Sequence, residues 1–196
     1  PQRVTQGWEM VQRNIERIRG TVMNILYYAK EREPVAEPMS ARALAEEVCG
    51  VLADRARESR VELRCEAAED GRPFEADPRA LRALLINLLE NSIDACRVDS
   101  KKPSHAVIVR VRGEENAVLF EVEDNGIGMD RETRQKVFSL FFSSKGAEGT
   151  GLGLFIANKI AQAHGGRIDV ESEPDRGTRF VVRVPRVPAA TRNGPS

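Results

Sequence analysis

Apolar residues recur early in the chain at steps of four, three, four, three and four: Val11, Ile15, Ile18, Val22, Ile25 and Ala29. This heptad spacing predicts one long helix over residues 6–32, with a narrow seam that needs a partner. Gln12, Arg13, Glu16, Arg17 and Arg19 fill its outer faces. Such a seam suits one member of a dimeric helical bundle better than a helix lying on a sheet. Two prolines and alternating charge mark residues 31–38 as a linker. Ser40 then caps a predicted helix over residues 41–59, with Leu44, Val48, Val51 and Leu52 on its inner side. Alternation over residues 61–65 predicts a strand, Asp70-Gly71 a turn, and residues 73–76 a short second strand.

Asp77 before Pro78 reads as an N-cap followed by a first-turn proline. The helix it opens runs to about residue 98 and carries Leu81, Leu84, Leu85, Leu88, Leu89 and Ile93. Residues 107–111 and 117–122 form a predicted hairpin. Asp130 caps a short helix ending near Val137, and residues 138–150 read as an irregular loop. A helix over residues 152–164 stops at Gly165-Gly166. Residues 167–171 and 178–184 make a last strand pair, and residues 186–196 an unpatterned, flexible tail. The mixture predicts an α+β fold: a two-layer α/β sandwich with a mixed, mostly antiparallel sheet and helices on one face, preceded by one long coiled-coil-like helix. The expected division is 1–33, linker 34–38, main domain 39–185 and tail 186–196.

Composition narrows the chemistry. Lys plus Arg and Asp plus Glu balance at 30 each, which argues against nucleic acid as the main partner. Cys49, Cys65 and Cys96 are odd in number and far apart, so reduced, mostly buried thiols are expected rather than a disulfide framework or zinc site. His105 and His164 stand near no cysteine, and no metal role is expected of them. No apolar run approaches the roughly 20 residues that span a bilayer, and no signal peptide is visible. Because the chain starts inside a helical pattern, it reads as a fragment. A cytoplasmic domain is expected, with any membrane anchor upstream.

Four short elements carry the candidate chemistry. Asn87, Asn91 and Asp94 share one helical face in a very apolar helix. They are either a solvated polar row or an oxygen-donor cluster able to hold Mg²⁺ through an amide and waters. Asp124 ends a strand before Asn125-Gly126-Ile127-Gly128. This is either a simple turn or a carboxylate placed to accept a bond from an adenine amino group, with glycines leaving room for the ring. Glycines alternate through Gly149-Thr150-Gly151-Leu152-Gly153-Leu154 at a helix start, an arrangement that lets backbone N–H groups meet phosphate. Before it, Phe138, Phe141 and Phe142 either anchor a loop or belong to a hinged lid whose Lys145 reaches a terminal phosphate.

In this order the elements resemble the N, G1, F and G2 boxes of sensor histidine kinases, within the gyrase–Hsp90–kinase–MutL ATP-binding superfamily. The resemblance covers about residues 39–185 and implies ATP and Mg²⁺ as ligands. It implies that Asn91 ligates Mg²⁺ and that Asn87 lies against the phosphates or a metal water. Asp124 would bind the adenine amino group, with Thr178 helping through water, in a pocket shaped by Gly126, Ile127 and Gly128. Thr150, Gly151, Leu152, Gly153 and Leu154 would offer N–H groups to the phosphates, and Lys145 would contact the γ-phosphate. Asp94 is counted among the nucleotide-binding residues, at a position where other members carry Lys or Arg. The superfamily's hydrolases place a Glu where Asn87 stands, and an amide cannot act as general base. The resemblance therefore implies transfer of the γ-phosphate to a histidine, for relay to a response regulator, ahead of an ATPase driving dimer closure or a non-catalytic scaffold. The phosphoacceptor histidine is absent: residues 6–32 resemble the second helix of a dimerisation hairpin, and neither His105 nor His164 fits the acceptor role.

Overall fold

The computed structural model describes residues 34–68, 72–142 and 150–187. The predicted helix over residues 6–32, the Asp70-Gly71 turn, Lys145 and most of the predicted tail lie outside them. The elements run β1 (Glu37–Pro38), α1 (Ala41–Glu58), β2 (Val61–Ala67), β3 (Glu75–Ala76), α2 (Pro78–Arg97), β4 (His105–Gly113), β5 (Ala117–Asp124), α3 (Arg131–Lys136), α4 (Gly153–Ala163), β6 (Arg167–Glu173) and β7 (Gly177–Pro185).

The main sheet has the order β2-β4-β5-β7-β6. Only β2 and β4 pair in parallel; every other neighbour in it is antiparallel. Inward side chains alternate along the strands, as Val107, Val109 and Val111 on β4 and Phe120 and Val122 on β5. Against them lie α1, α2 and α4. The leucine stripe of α2 is almost completely buried, with Leu88, Leu89 and Ile93 at 0% exposure, so this helix is the spine of the core. Its first turn is fixed by Asp77, whose Oδ1 accepts from the N–H groups of Arg79 and Ala80. Ser40 and Asp130 cap α1 and α3 in the same way. This is the α+β sandwich that the periodicity predicts. Among the described residues no helix is long and apolar enough to cross a membrane.

Four local expectations are corrected. Glu37 and Pro38, assigned to the linker, pair with β3 as a two-stranded ribbon. Arg186, assigned to the tail, is 7% exposed. Its guanidinium donates to the Glu114 carbonyl at 2.8 Å and its own carbonyl accepts from Glu75 at 2.9 Å. Val51 is 52% exposed, because the buried side of α1 runs through Leu44, Ala45, Val48, Cys49, Leu52 and Ala56. Cys65 is exposed, since β2 is an edge strand, whereas Cys49 and Cys96 are buried as expected.

Candidate functional site

The end of β5, the middle of α2 and the start of α4 meet at one end of the sheet. Asp124 is the last residue of β5 and is only 4% exposed. Its Oδ1 accepts from the Gly126 N–H at 3.0 Å and from the Thr178 N–H, across the strand pair, at 3.2 Å. Among the described residues its buried Oδ2 has no hydrogen-bond partner. A buried carboxylate oxygen left bare is costly, so it marks a place prepared for a donor from outside the chain. Burial pushes the carboxyl up to about 6, against the opposing pull of the Gly126 N–H, Ser92, the Thr178 N–H and Lys102.

Ser92 is the residue that motif reading passes over. It is fully buried on α2 beside Asp124, yet its Oγ reaches no well-formed hydrogen bond. A signal was present. Ser92 stands one turn beyond Leu88 and two beyond Leu85, at a core position of the apolar stripe where a hydroxyl needs a reason.

The turn after Asp124 is pinned from several sides. Asn125 donates to the Ser104 carbonyl, and its Oδ1 accepts from the Ala106 N–H, so this side chain ties the turn to the start of β4. The Ile127 N–H donates to the Ala95 carbonyl of α2, and the Ile127 carbonyl accepts from Asp175. Gly128 has φ +64, and a Cβ there would lie 1.9 Å from the Glu173 carbonyl oxygen. Only glycine allows this close approach to the β6–β7 hairpin. Thr178, 5% exposed, also shares a 3.0 Å hydroxyl contact with Ser172, whose Oγ accepts from Met129. Ile127 is 38% exposed and forms an apolar rim.

The α2 face meets the glycine helix at Asn87. The Asn87 amide nitrogen donates to Ala83 O at 2.8 Å, which leaves its Oδ1 beside α4. A Cβ on Gly153 would lie 2.8 Å from that oxygen. Asn91, one turn on, is half-buried on the same face. Asp94, two turns on, pairs with Arg55 of α1 at 3.2 Å and lies 3.6 Å from Arg97. Arg55 also pairs with Glu90. The third member of the polar face is thus held in an ion-pair cluster between α1 and α2.

Among the described residues no side chain caps α4, in contrast to α1, α2 and α3. Its first N–H groups, at Gly153 and Leu154, therefore lack the internal partner the other helices have, the condition for anion binding at a helix start. Thr150 and Gly151 lead into it, and Thr150 Oγ1 accepts from the Leu152 N–H at 3.4 Å. The donor set fits an adenine nucleotide: a bare carboxylate oxygen for an exocyclic amine, amide oxygens on α2, and helix-start N–H groups for phosphate. Among the described residues no group of three His, Cys, Asp or Glu could hold a metal. A Mg²⁺ at Asn91 would take an amide oxygen beside phosphate and water, all hard oxygen ligands of the kind it prefers.

His164 is structural. Its Nδ1 lies 2.8 Å from the Ile160 carbonyl and its Nε2 accepts from the Asp77 N–H at 3.2 Å. The ring bridges the end of α4 to the start of α2 and leaves neither nitrogen for transfer.

Residues 76–188 match the family of histidine kinase-, DNA gyrase B- and HSP90-like ATPases. The signal transduction histidine-protein kinase AtoS of Escherichia coli (strain K12) is 30% identical over 179 residues, 90% of this chain and 28% of that protein. The chain thus spans about a quarter of the length of the curated relatives it matches. Among solved structures, the nucleotide-free catalytic domain of histidine kinase ThkA superposes with a TM-score of 0.67 at 28% identity, covering 78% of this chain and 99% of that one. ThkA in complex with the response regulator protein TrrA gives a TM-score of 0.74 at 26% identity, covering 91% of this chain and 50% of that one.

Proposed function

The chain belongs to the histidine kinase-, DNA gyrase B- and HSP90-like ATPase family, as an ATP-binding catalytic domain of the sensor histidine kinase kind, and from this premise we propose how its residues divide the work. Asp124 accepts the adenine 6-amino group on its bare Oδ2, with Ser92 and Thr178 around it. Gly126, Ile127 and Gly128 form the floor and rim of the purine slot. The N–H groups of Gly151, Leu152, Gly153 and Leu154, with Thr150, cradle the phosphates. Asn91 ligates Mg²⁺ and Asn87 holds a phosphate oxygen or a metal-bound water. Lys145 contacts the γ-phosphate. When bound, Mg²⁺ supplies charge neutralisation across the phosphates. Asp94, tied to Arg55, sets the α2 face rather than touching nucleotide.

The intact protein, on this reading, is a cytoplasmic-facing two-component kinase. It passes the γ-phosphate to a histidine of a dimerisation helix outside this chain and then to the aspartate of a response regulator. A homodimer through the N-terminal helix would bring acceptor and nucleotide together. Transfer relies on positioning and electrostatics, not on a strong base from this domain. Asn87, whose amide already donates to Ala83, is not built to activate water, which favours transfer over hydrolysis. The bare Asp124 oxygen carries the nucleotide reading. The transfer reading is tested by adding a separate domain bearing an acceptor helix and following labelled γ-phosphate. Label is expected on the added histidine and none on the chain incubated alone. Steady phosphate release without labelled histidine would turn the assignment toward a hydrolase.

A further inference from the structure

The loop between α2 and β4 holds a half-buried cation beside the Gly126 turn that no motif includes. Lys102 Nζ lies 2.9 Å from Asp99 Oδ2 and 2.9 Å from the Gly126 carbonyl oxygen. The Asp99 side chain is 1% exposed and that of Lys102 25%. Asp99 Oδ1 accepts from the Lys101 N–H at 2.8 Å, and His105 Nε2 stands 3.3 Å from Oδ2. The Lys102 ammonium beside Asp99 holds that carboxyl down at about 2. Next door, Lys101 forms a salt bridge with Asp175 at 2.7 Å. An exposed loop needs no ion pair to close. Desolvating one here is costly unless the geometry is used.

We propose that Lys102 is a positioning residue for nucleotide binding: seated between Asp99 and the Gly126 carbonyl, it fixes the purine-facing turn and supplies the positive field that keeps Asp124 an acceptor. This rests on the nucleotide reading above. Gly126 is held at both ends of its peptide geometry. Its N–H donates to Asp124 and its carbonyl accepts from Lys102, so the ammonium and the purine carboxylate share one short backbone link. The groups acting on Asp124 come from every neighbouring element. Ser92 and Cys96 lie on α2, the Gly126 N–H on its own turn, the Thr178 N–H on β7 and Lys102 on the loop. Lys102 is the cation in that set, opposing the burial that favours the neutral acid.

The test compares Lys102→Gln with wild type and with Lys102→Arg, measuring Mg-ATP affinity by calorimetry from pH 5.5 to 8.5. Glutamine retains a donor for the Gly126 carbonyl but removes the charge and with it the ion pair to Asp99. Wild-type affinity is expected to fall off near pH 6. In Lys102→Gln the fall is expected at higher pH, so the loss of affinity relative to wild type is larger at pH 6 than at pH 8. Lys102→Arg restores the wild-type midpoint. The carboxyl ¹³C shift of Asp124 in the unliganded protein reads the same displacement without ligand. A loss of affinity equal at all pH values, or an unmoved Asp124 titration, overturns the proposal and leaves Lys102 a loop brace. A wild type that binds no Mg-ATP at any pH removes the nucleotide reading and this proposal with it.

Discussion

Asp124→Asn is expected to weaken Mg-ATP binding by about a hundredfold or more while leaving the domain folded. Asparagine keeps an oxygen for the Gly126 and Thr178 N–H groups. It puts an amide donor where Oδ2 stands bare, so the adenine amine meets a donor in place of an acceptor. Losing a buried hydrogen bond to a charged group and leaving donors opposed costs about 3 kcal/mol, hence the factor. The new amide lies beside the unpartnered Ser92 hydroxyl, which can accept from it. Stability should move the other way. The folded carboxyl titrates at about 6, above its ordinary 3.8, so the fold holds the proton more tightly than the unfolded chain. The carboxyl's contribution is most favourable below about pH 4 and is lost as pH rises through about 6; ionising it inside the fold costs about 3 kcal/mol at pH 7. The melting temperature of Asp124→Asn at pH 7 is therefore expected at or above that of wild type. Calorimetry and thermal melting on one preparation check both halves. A variant that loses ATP only because it unfolds would not support the role given to Asp124.

Gly177→Ala is expected to damage fold and site together. Gly177 opens β7 with φ +111, a region closed to side chains in practice. A Cβ there would stand 2.0 Å from the Asp124 carbonyl oxygen and 2.7 Å from Asn125 Cα, both backbone atoms that cannot swing aside. The strands would have to part at the register point where Asp124 faces Thr178. A loss of about 3 kcal/mol follows, or a fall of roughly 10 °C in melting temperature. Gly50→Ala is the control. That glycine lies within α1 with nothing within 4 Å of an added Cβ, so alanine there should stabilise by about 0.5–1 kcal/mol. Equal effects at the two positions would contradict the close approach at Gly177.

The sequence revealed what local chemistry writes. The caps at Ser40, Asp77 and Asp130, the α2 leucine stripe and the glycine punctuation around Asp124 each follow from one turn of chain, and each lies where the spacing places it. What it did not reveal depends on distant partners. The parallel pairing of β2 with β4 joins strands that α2 separates. Arg186 looks like tail until its guanidinium finds the carbonyls of residues more than 70 positions away. Cys65 and Val51 sit at a sheet edge and a helix flank, where none of the described residues covers them. Ser92 and Lys102 belong to no box because their meaning is three-dimensional: one lies beside the Asp124 carboxylate from a core position, the other reaches the Gly126 carbonyl from a loop. Asp94 shows the converse. Its helical phase puts it with Asn87 and Asn91, but Arg55 on another helix decides what it bonds.

The central claim is that Asp124 recognises an amine on the purine, and replacing that amine by a carbonyl oxygen tests it most directly. Affinities of the wild-type chain for Mg-ATP and Mg-ITP are measured by calorimetry at pH 7.5; the two nucleotides differ in the purine 6-substituent and in the N1 proton that accompanies it. The account predicts saturable ATP binding and ITP binding weaker by about thirtyfold or more, because inosine presents an oxygen to the ionised carboxylate. Equal affinities for the two nucleotides would contradict it.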